Sequence, residues 1–181
     1  MAYSKEEILQ LAHHAAGRTV LFNWLVDQWQ RPLYYFIRRM VLDHDDADDL
    51  VQNTFLKAWK GLASFRGEAK ISTWLFSIAY RESINFLESS QRIGKVSLDE
   101  VPHKLGSALQ EDPLFEGDEI QRKLQTAIAA LPEKQKAVFI MKYFEEKRYD
   151  EIAEITGTSV GALKASFHFA VKKIAAFMQS H

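Results

Sequence analysis

The sequence predicts an all-α protein built as two small helical domains joined by a linker. Three observations predict it. Apolar residues recur at spacings of three and four on both sides of the chain's centre, and no segment sustains the two-residue alternation of a strand. Glycine and proline crowd the middle: three of eight Gly and two of four Pro lie within residues 91–119. That stretch reads as a tether, so the expected organisation is a domain over 1–90, an acidic linker over 91–119 and a second domain over 120–181.

The elements follow in order. Val20, Leu21, Trp24, Leu25 and Trp29 keep a helical period. Pro32 suits the first turn of a next helix carrying Leu33, Phe36, Ile37, Met40 and Val41, so a break is expected there. The acidic cluster Asp43, Asp45 and Asp46 caps a helix over about 47–61. A loop and a helix over about 72–89 complete the first half. The second half should hold a helix over about 120–130, one starting at Pro132, a short one over Tyr149 to Thr156, and a last one from Ser159.

Composition bounds the function. At 181 residues with 47% hydrophobic and 26% charged content, the chain matches ordinary globular proteins and not disordered ones. Apolar runs such as Ala137 to Met141 fall far short of a bilayer span, and the N-terminal residues lack a signal-peptide core. No membrane insertion and a cytoplasmic location are therefore expected. There is no cysteine, which excludes disulfides, thiol catalysis and thiolate metal sites and fits a reducing compartment.

Charge is more informative by segment than in sum. Residues 1–90 carry 10 Lys/Arg against 11 Asp/Glu, residues 91–119 carry 3 against 7, and residues 120–181 carry 10 against 6. The basic C-terminal unit can be held near phosphates while the acidic tether is repelled by them. A flexible tether of this length has an r.m.s. span of roughly 30 Å and a limit of roughly 95 Å.

Residues 149–156 form an amphipathic pattern ended by Gly157, which can take the left-handed conformation. Ser159 can cap the following helix, which sends Val160, Leu163, Phe167 and Ile174 inward and leaves Lys164, His168, Lys172 and Lys173 outside. Ala153, Gly157 and Val160 supply the small, turn and buried residues of a helix-turn-helix, whose second helix enters the major groove by its N-terminal half. A plain αα-hairpin is the simpler reading, but spacing, turn chemistry and basic charge agree on DNA. The run Gly157-Thr158-Ser159-Val160-Gly161 matches a serine-hydrolase pattern only by coincidence, because that chemistry needs a strand before the turn. His13 and His14 diverge by about 100° on a helix and lack partner ligands, so no metal site is expected.

The helix over 47–61 has two faces. Asp49, Gln52, Asn53, Leu56 and Lys60 share one; Ala47, Leu50, Val51, Thr54, Phe55 and Ala58 share the other. The second is core. The first is either a solvated face or a docking face for another protein's helices. Downstream, Phe65-Arg66-Gly67-Glu68 is a loop able to hold an extruded base, where aromatic rings stack and Arg holds phosphate. Trp74, Phe76 and Tyr80, at helical spacing, fit a core.

Residues Asp46 to Trp59, then Phe65-Arg66-Gly67, then Thr73 to Ala79, resemble the second conserved region of sigma-70-type RNA polymerase sigma factors. Leu131-Pro132 and Tyr149 to Ala153 through Ser159 to Lys164 resemble the fourth. Two such regions and a short linker are the pattern of the extracytoplasmic-function (ECF) subfamily. The wording of Tyr80 to Leu87 and Ala162 to Ser166 is similar to Bacteroidota members.

The resemblance implies a non-enzyme without metal or cofactor that directs polymerase core to promoters. Asp49, Gln52, Asn53 and Leu56 would bind the β′ clamp helices, with the β flap as a second polymerase contact. Phe65, Arg66, Gly67, Thr73, Trp74, Tyr80 and Arg81 would recognise and melt the minus-10 element. Ser159, Lys164, Ser166, His168 and Lys172 would serve the minus-35 element. It further implies a monomer when free and an anti-sigma factor as partner. Three positions depart from the family's usual residues: Asn53 replaces Glu, Arg81 replaces Asn and Phe169 replaces Arg. The rival reading is a stand-alone helix-turn-helix regulator whose first 90 residues sense a ligand or dimerise. A helical interaction protein with no DNA role is a third.

Overall fold

In the computed structural model, residues 3–92 and 118–180 are described. Among them the secondary structure is eight α-helices and no strand. Most of the expected linker falls outside the described residues.

Helix α1 (Lys5–His13) opens on a reciprocal cap: Ser4 Oγ accepts from the Glu7 amide at 3.2 Å, and the Glu7 carboxylate accepts from the Ser4 amide at 2.7 Å. Helix α2 (Ala15–Val41) runs 27 residues straight through Pro32. The expected break is absent. Leu21, Leu25, Leu33, Phe36, Ile37 and Met40 form one fully buried stripe across that point. Each such side chain gains about 1.5–3 kcal/mol on burial, which together outweighs the roughly 3 kcal/mol cost of an internal proline. Leu42, at φ 68°, ends the helix with its amide bonded to the Arg38 carbonyl.

Helix α3 (His44–Leu62) is capped by Asp43, which accepts from the Asp46 amide at 3.0 Å. Helix α4 (Ile71–Arg92) follows the 63–70 loop. The second half comprises α5 (Glu119–Ala129), α6 (Glu133–Tyr143), α7 (Tyr149–Thr156) and α8 (Val160–Ser180). Asp118 caps α5 by accepting from the Gln121 amide at 2.9 Å.

The two halves share a core. A single cluster links Phe36, Ile37, Leu50, Phe55, Leu75 and Phe76 of the first half to Ile128, Ile140, Met141, Ile152 and Leu163 of the second. Helix α2 packs on α6, and α4 packs on α7. A second cluster, Ile8, Ala12, Leu21, Leu25, Leu62, Phe65 and Ile71, lies beneath α1.

A polar docking face and a candidate nucleic-acid interface

The α3 faces separate as the helical period requires. Ala47, Leu50, Val51, Thr54, Phe55 and Ala58 are buried, and the Thr54 hydroxyl is spent on the Leu50 carbonyl at 2.7 Å. Asp49, Gln52, Asn53, Leu56 and Lys60 are exposed, Leu56 at 59%. Lys57 pairs with Glu82 and ties α3 to α4. The exposed row is thus carried by a helix whose opposite face is buried in the core.

The 63–70 loop differs from expectation. Phe65, Gly67 and Thr73, expected to meet the minus-10 element from an accessible surface, are all buried. The Phe65 ring lies 5.2 Å from that of Trp74, and its carbonyl is 3.1 Å from His13 Nε2. For Phe65 and Gly67 the cause is α1, which covers the loop and which the apolar pattern does not reveal. Gly67 is needed twice over: its φ is +68°, and a Cβ there would sit 3.0 Å from Lys5 Cε and 3.2 Å from both Leu9 methyls. Arg66 remains exposed, near Glu68 at 3.8 Å. Arg81 is exposed too, its Nε donating to the Ser77 carbonyl at 3.1 Å. Trp74 and Tyr80 are half-buried, whereas Phe76 is fully buried. Burial and then the Glu88 carboxylate push the Tyr80 phenol up.

The side of α4 that carries Tyr80 faces the second half. Lys70, just before α4, pairs with Glu151 of α7 at 3.1 Å. The Lys147 ammonium sits 3.7 Å above the Phe76 ring. Helical geometry sets Thr73 and Tyr80 between those two contact points. On α2, Arg39 pairs with Glu145 at 3.9 Å and lies 4.1 Å above the Phe144 ring. Burial lowers the Arg39 and Lys147 pKa values and raises that of Glu145; the opposite charges beside each group only partly offset it. No local sequence signal announced these contacts.

The helix-turn-helix forms as its turn chemistry dictates. The Arg148 amide donates to Glu151 Oε2 at 3.1 Å to open α7, and Gly157 closes it at φ 71°. Ser159 Oγ accepts from the Ala162 amide at 3.3 Å to start α8. Ile152, Ile155, Leu163, Ala170 and Ile174 bury the inner faces. Val160, expected inside, is 36% exposed: it shares the side of Leu163 but is the first residue of α8, at the end of the buried stripe. Ser159, Lys164, His168 and Lys172 are exposed, while Ser166 is half-buried. Lys173 donates to Gln135 of α6 at 3.1 Å and is held against its own domain.

The described residues contain no helix long and apolar enough to cross a membrane. A profile of sigma-70 region 2 matches residues 25–93, and one of sigma-70 region 4 matches residues 121–174. The RNA polymerase sigma factor YlaC of Bacillus subtilis (strain 168) is 31% identical over 148 residues, covering 80% of this chain and 84% of its own. The ECF RNA polymerase sigma-E factor of Haemophilus influenzae is 30% identical over 157 residues, 82% of each chain. Two solved structures share the fold. CnrH in complex with the cytosolic domain of CnrY superposes with a TM-score of 0.71 at 20% identity over 97% of both chains. The sigma factor RpoE in complex with the anti-sigma factor NepR, from Bartonella quintana, gives 0.67 at 22% identity over 88% of this chain and 97% of its own.

Proposed function

This chain belongs to the extracytoplasmic-function branch of the sigma-70 family, and from that premise we propose how its surfaces divide the work. The protein is a sigma factor: it gives RNA polymerase its promoter specificity at transcription initiation. A stand-alone regulator is not favoured, because polymerase sigma factors match it across four-fifths of its length.

The exposed row Asp49, Gln52, Asn53 and Leu56 docks on the β′ clamp helices of the polymerase core. The observation that carries this reading is the division of α3: Asp49, Gln52, Asn53 and Leu56 stand together outside, while Ala47, Leu50, Val51, Phe55 and Ala58 are buried. Arg66, Arg81 and the accessible parts of Trp74 and Tyr80 meet the minus-10 element. Phe65, Gly67 and Thr73 act from beneath, as the support that shapes this surface. The second half reads the minus-35 element through α8, with Ser159, Lys164, His168 and Lys172 outward, and takes the β flap as its polymerase contact. The catalyst of RNA synthesis is the polymerase's, and the sigma factor works in the cytoplasm without metal or cofactor. An anti-sigma factor is the expected inhibitor, since two proteins of this fold are held by such partners or by a cytosolic domain.

Co-sedimentation with purified core polymerase tests the docking face. Asp49→Ala combined with Gln52→Ala should weaken the complex about tenfold, the effect of roughly 1.4 kcal/mol, with Tm nearly unchanged. A large drop in Tm, or undiminished binding, contradicts the assignment.

A further inference from the structure

We propose that the Phe169 ring is a thymine reader, packing on the C5-methyl group of a thymine in the major groove of the upstream promoter element. The proposal rests on the reading of α8 as the duplex-reading helix. The inward side of α8 is fully used by Leu163, Ala170 and Ile174. At about 100° per residue, Gly161, Ala165, His168, Phe169 and Lys172 fall on the opposite side. Phe169 is 53% exposed and belongs to neither hydrophobic cluster; its ring lies 6.0 Å from that of His168.

The ring's chemistry narrows what it can meet. A phenyl group has no donor or acceptor, so it cannot read the hydrogen-bonding edge of any base. Thymine alone of the four bases offers a methyl group in the major groove. The residues around Phe169 favour a duplex over an apolar protein partner. Lys164 and Lys172 stand exposed on the same helix, where phosphates would neutralise them and an apolar face would not. Gly161 and Ala165 are small, and a Cβ at Gly161 would meet nothing within 4 Å, so the ring projects beyond its neighbours toward whatever α8 approaches.

The test uses the chain assembled with core polymerase and promoter duplexes randomised over the upstream element. Selection should enrich a sequence containing thymine. Replacing each enriched thymine by deoxyuridine removes only the methyl group. At one position this should weaken the wild-type complex about fourfold, the effect of one buried methyl group. Phe169→Ala should be insensitive to that replacement. Phe169→Gln, which keeps a side-chain stem, should behave the same and serves if the alanine variant loses helicity. An enriched element without any methyl effect, or an equal penalty in both variants, overturns the proposal alone. Loss of core binding in both variants also overturns it, by making the ring a protein contact. Specific transcription with no enriched upstream sequence removes the underlying reading of α8 as well.

Discussion

Lys136 is a cation inside the second half, 5% exposed, with its pKa lowered by burial to about 8 and Glu133 pulling the other way. The folded state therefore releases this proton near 8, while the unfolded chain holds it to the ordinary 10.5. Between those values the unfolded chain binds more protons, so stability rises with pH through that window and levels above it. Thermal melts at the two ends should show a larger gain for the wild type than for Lys136→Met; equal gains contradict the assignment. Gly67 gives a second expectation. Gly67→Ala forces a left-handed alanine against Lys5 and Leu9 and should lower stability by about 1–3 kcal/mol, read as a fall in Tm. The sequence marks Gly67 as a loop glycine, but its neighbours come from more than fifty residues away and leave no local trace. The same distance hides the burial of Phe65.

At the scale of elements, legibility follows how locally each is specified. Helices α7 and α8 carry their own turn, cap and stripe, and both ends of α7 and the start of α8 are read correctly to within a residue. The two faces of α3 follow from period alone. Helix α1 buries only Ile8 and Ala12 and is stabilised by docking, so its apolar pattern is faint. The capping box Ser4-Lys5-Glu6-Glu7 was the signal available for it. Pro32 misleads because its local preference is overruled by burial on both sides of it. That account predicts that Pro32→Ala, by restoring an internal amide donor, stabilises α2 by about 1–2 kcal/mol after the entropy gained by the unfolded chain is allowed for. A lower Tm would instead show that the ring is needed where it stands.

At the scale of the molecule, two promoter elements about two helical turns apart are separated by roughly 70 Å. The free chain has α7 against α4 and α6 against α2, with the Tyr80 side of α4 turned inward. For α4 and α8 to engage both elements as proposed, these contacts must part. Lys70 is 74% exposed, so its pair with Glu151 contributes less than about 1 kcal/mol. The cation–ring contacts of Lys147 and Arg39 add about 1–2 kcal/mol each. These polar contacts are weak, so the apolar surface that the halves share is what polymerase contacts must replace. The chain has no cysteine, so dyes can be placed on Thr19→Cys, exposed on α2, and Lys172→Cys alone. Energy transfer between them should fall when core polymerase binds; unchanged transfer contradicts the opening. Charge by segment hinted at separable halves, but their packing in the free chain rests on long-range pairs that composition does not encode.

The most direct measurement is run-off transcription by purified core polymerase on genomic fragments from the source organism, with and without this chain. Added chain should produce discrete new start sites preceded by a shared pair of sequence elements about two helical turns apart. Transcripts identical to those of core polymerase alone would contradict the account.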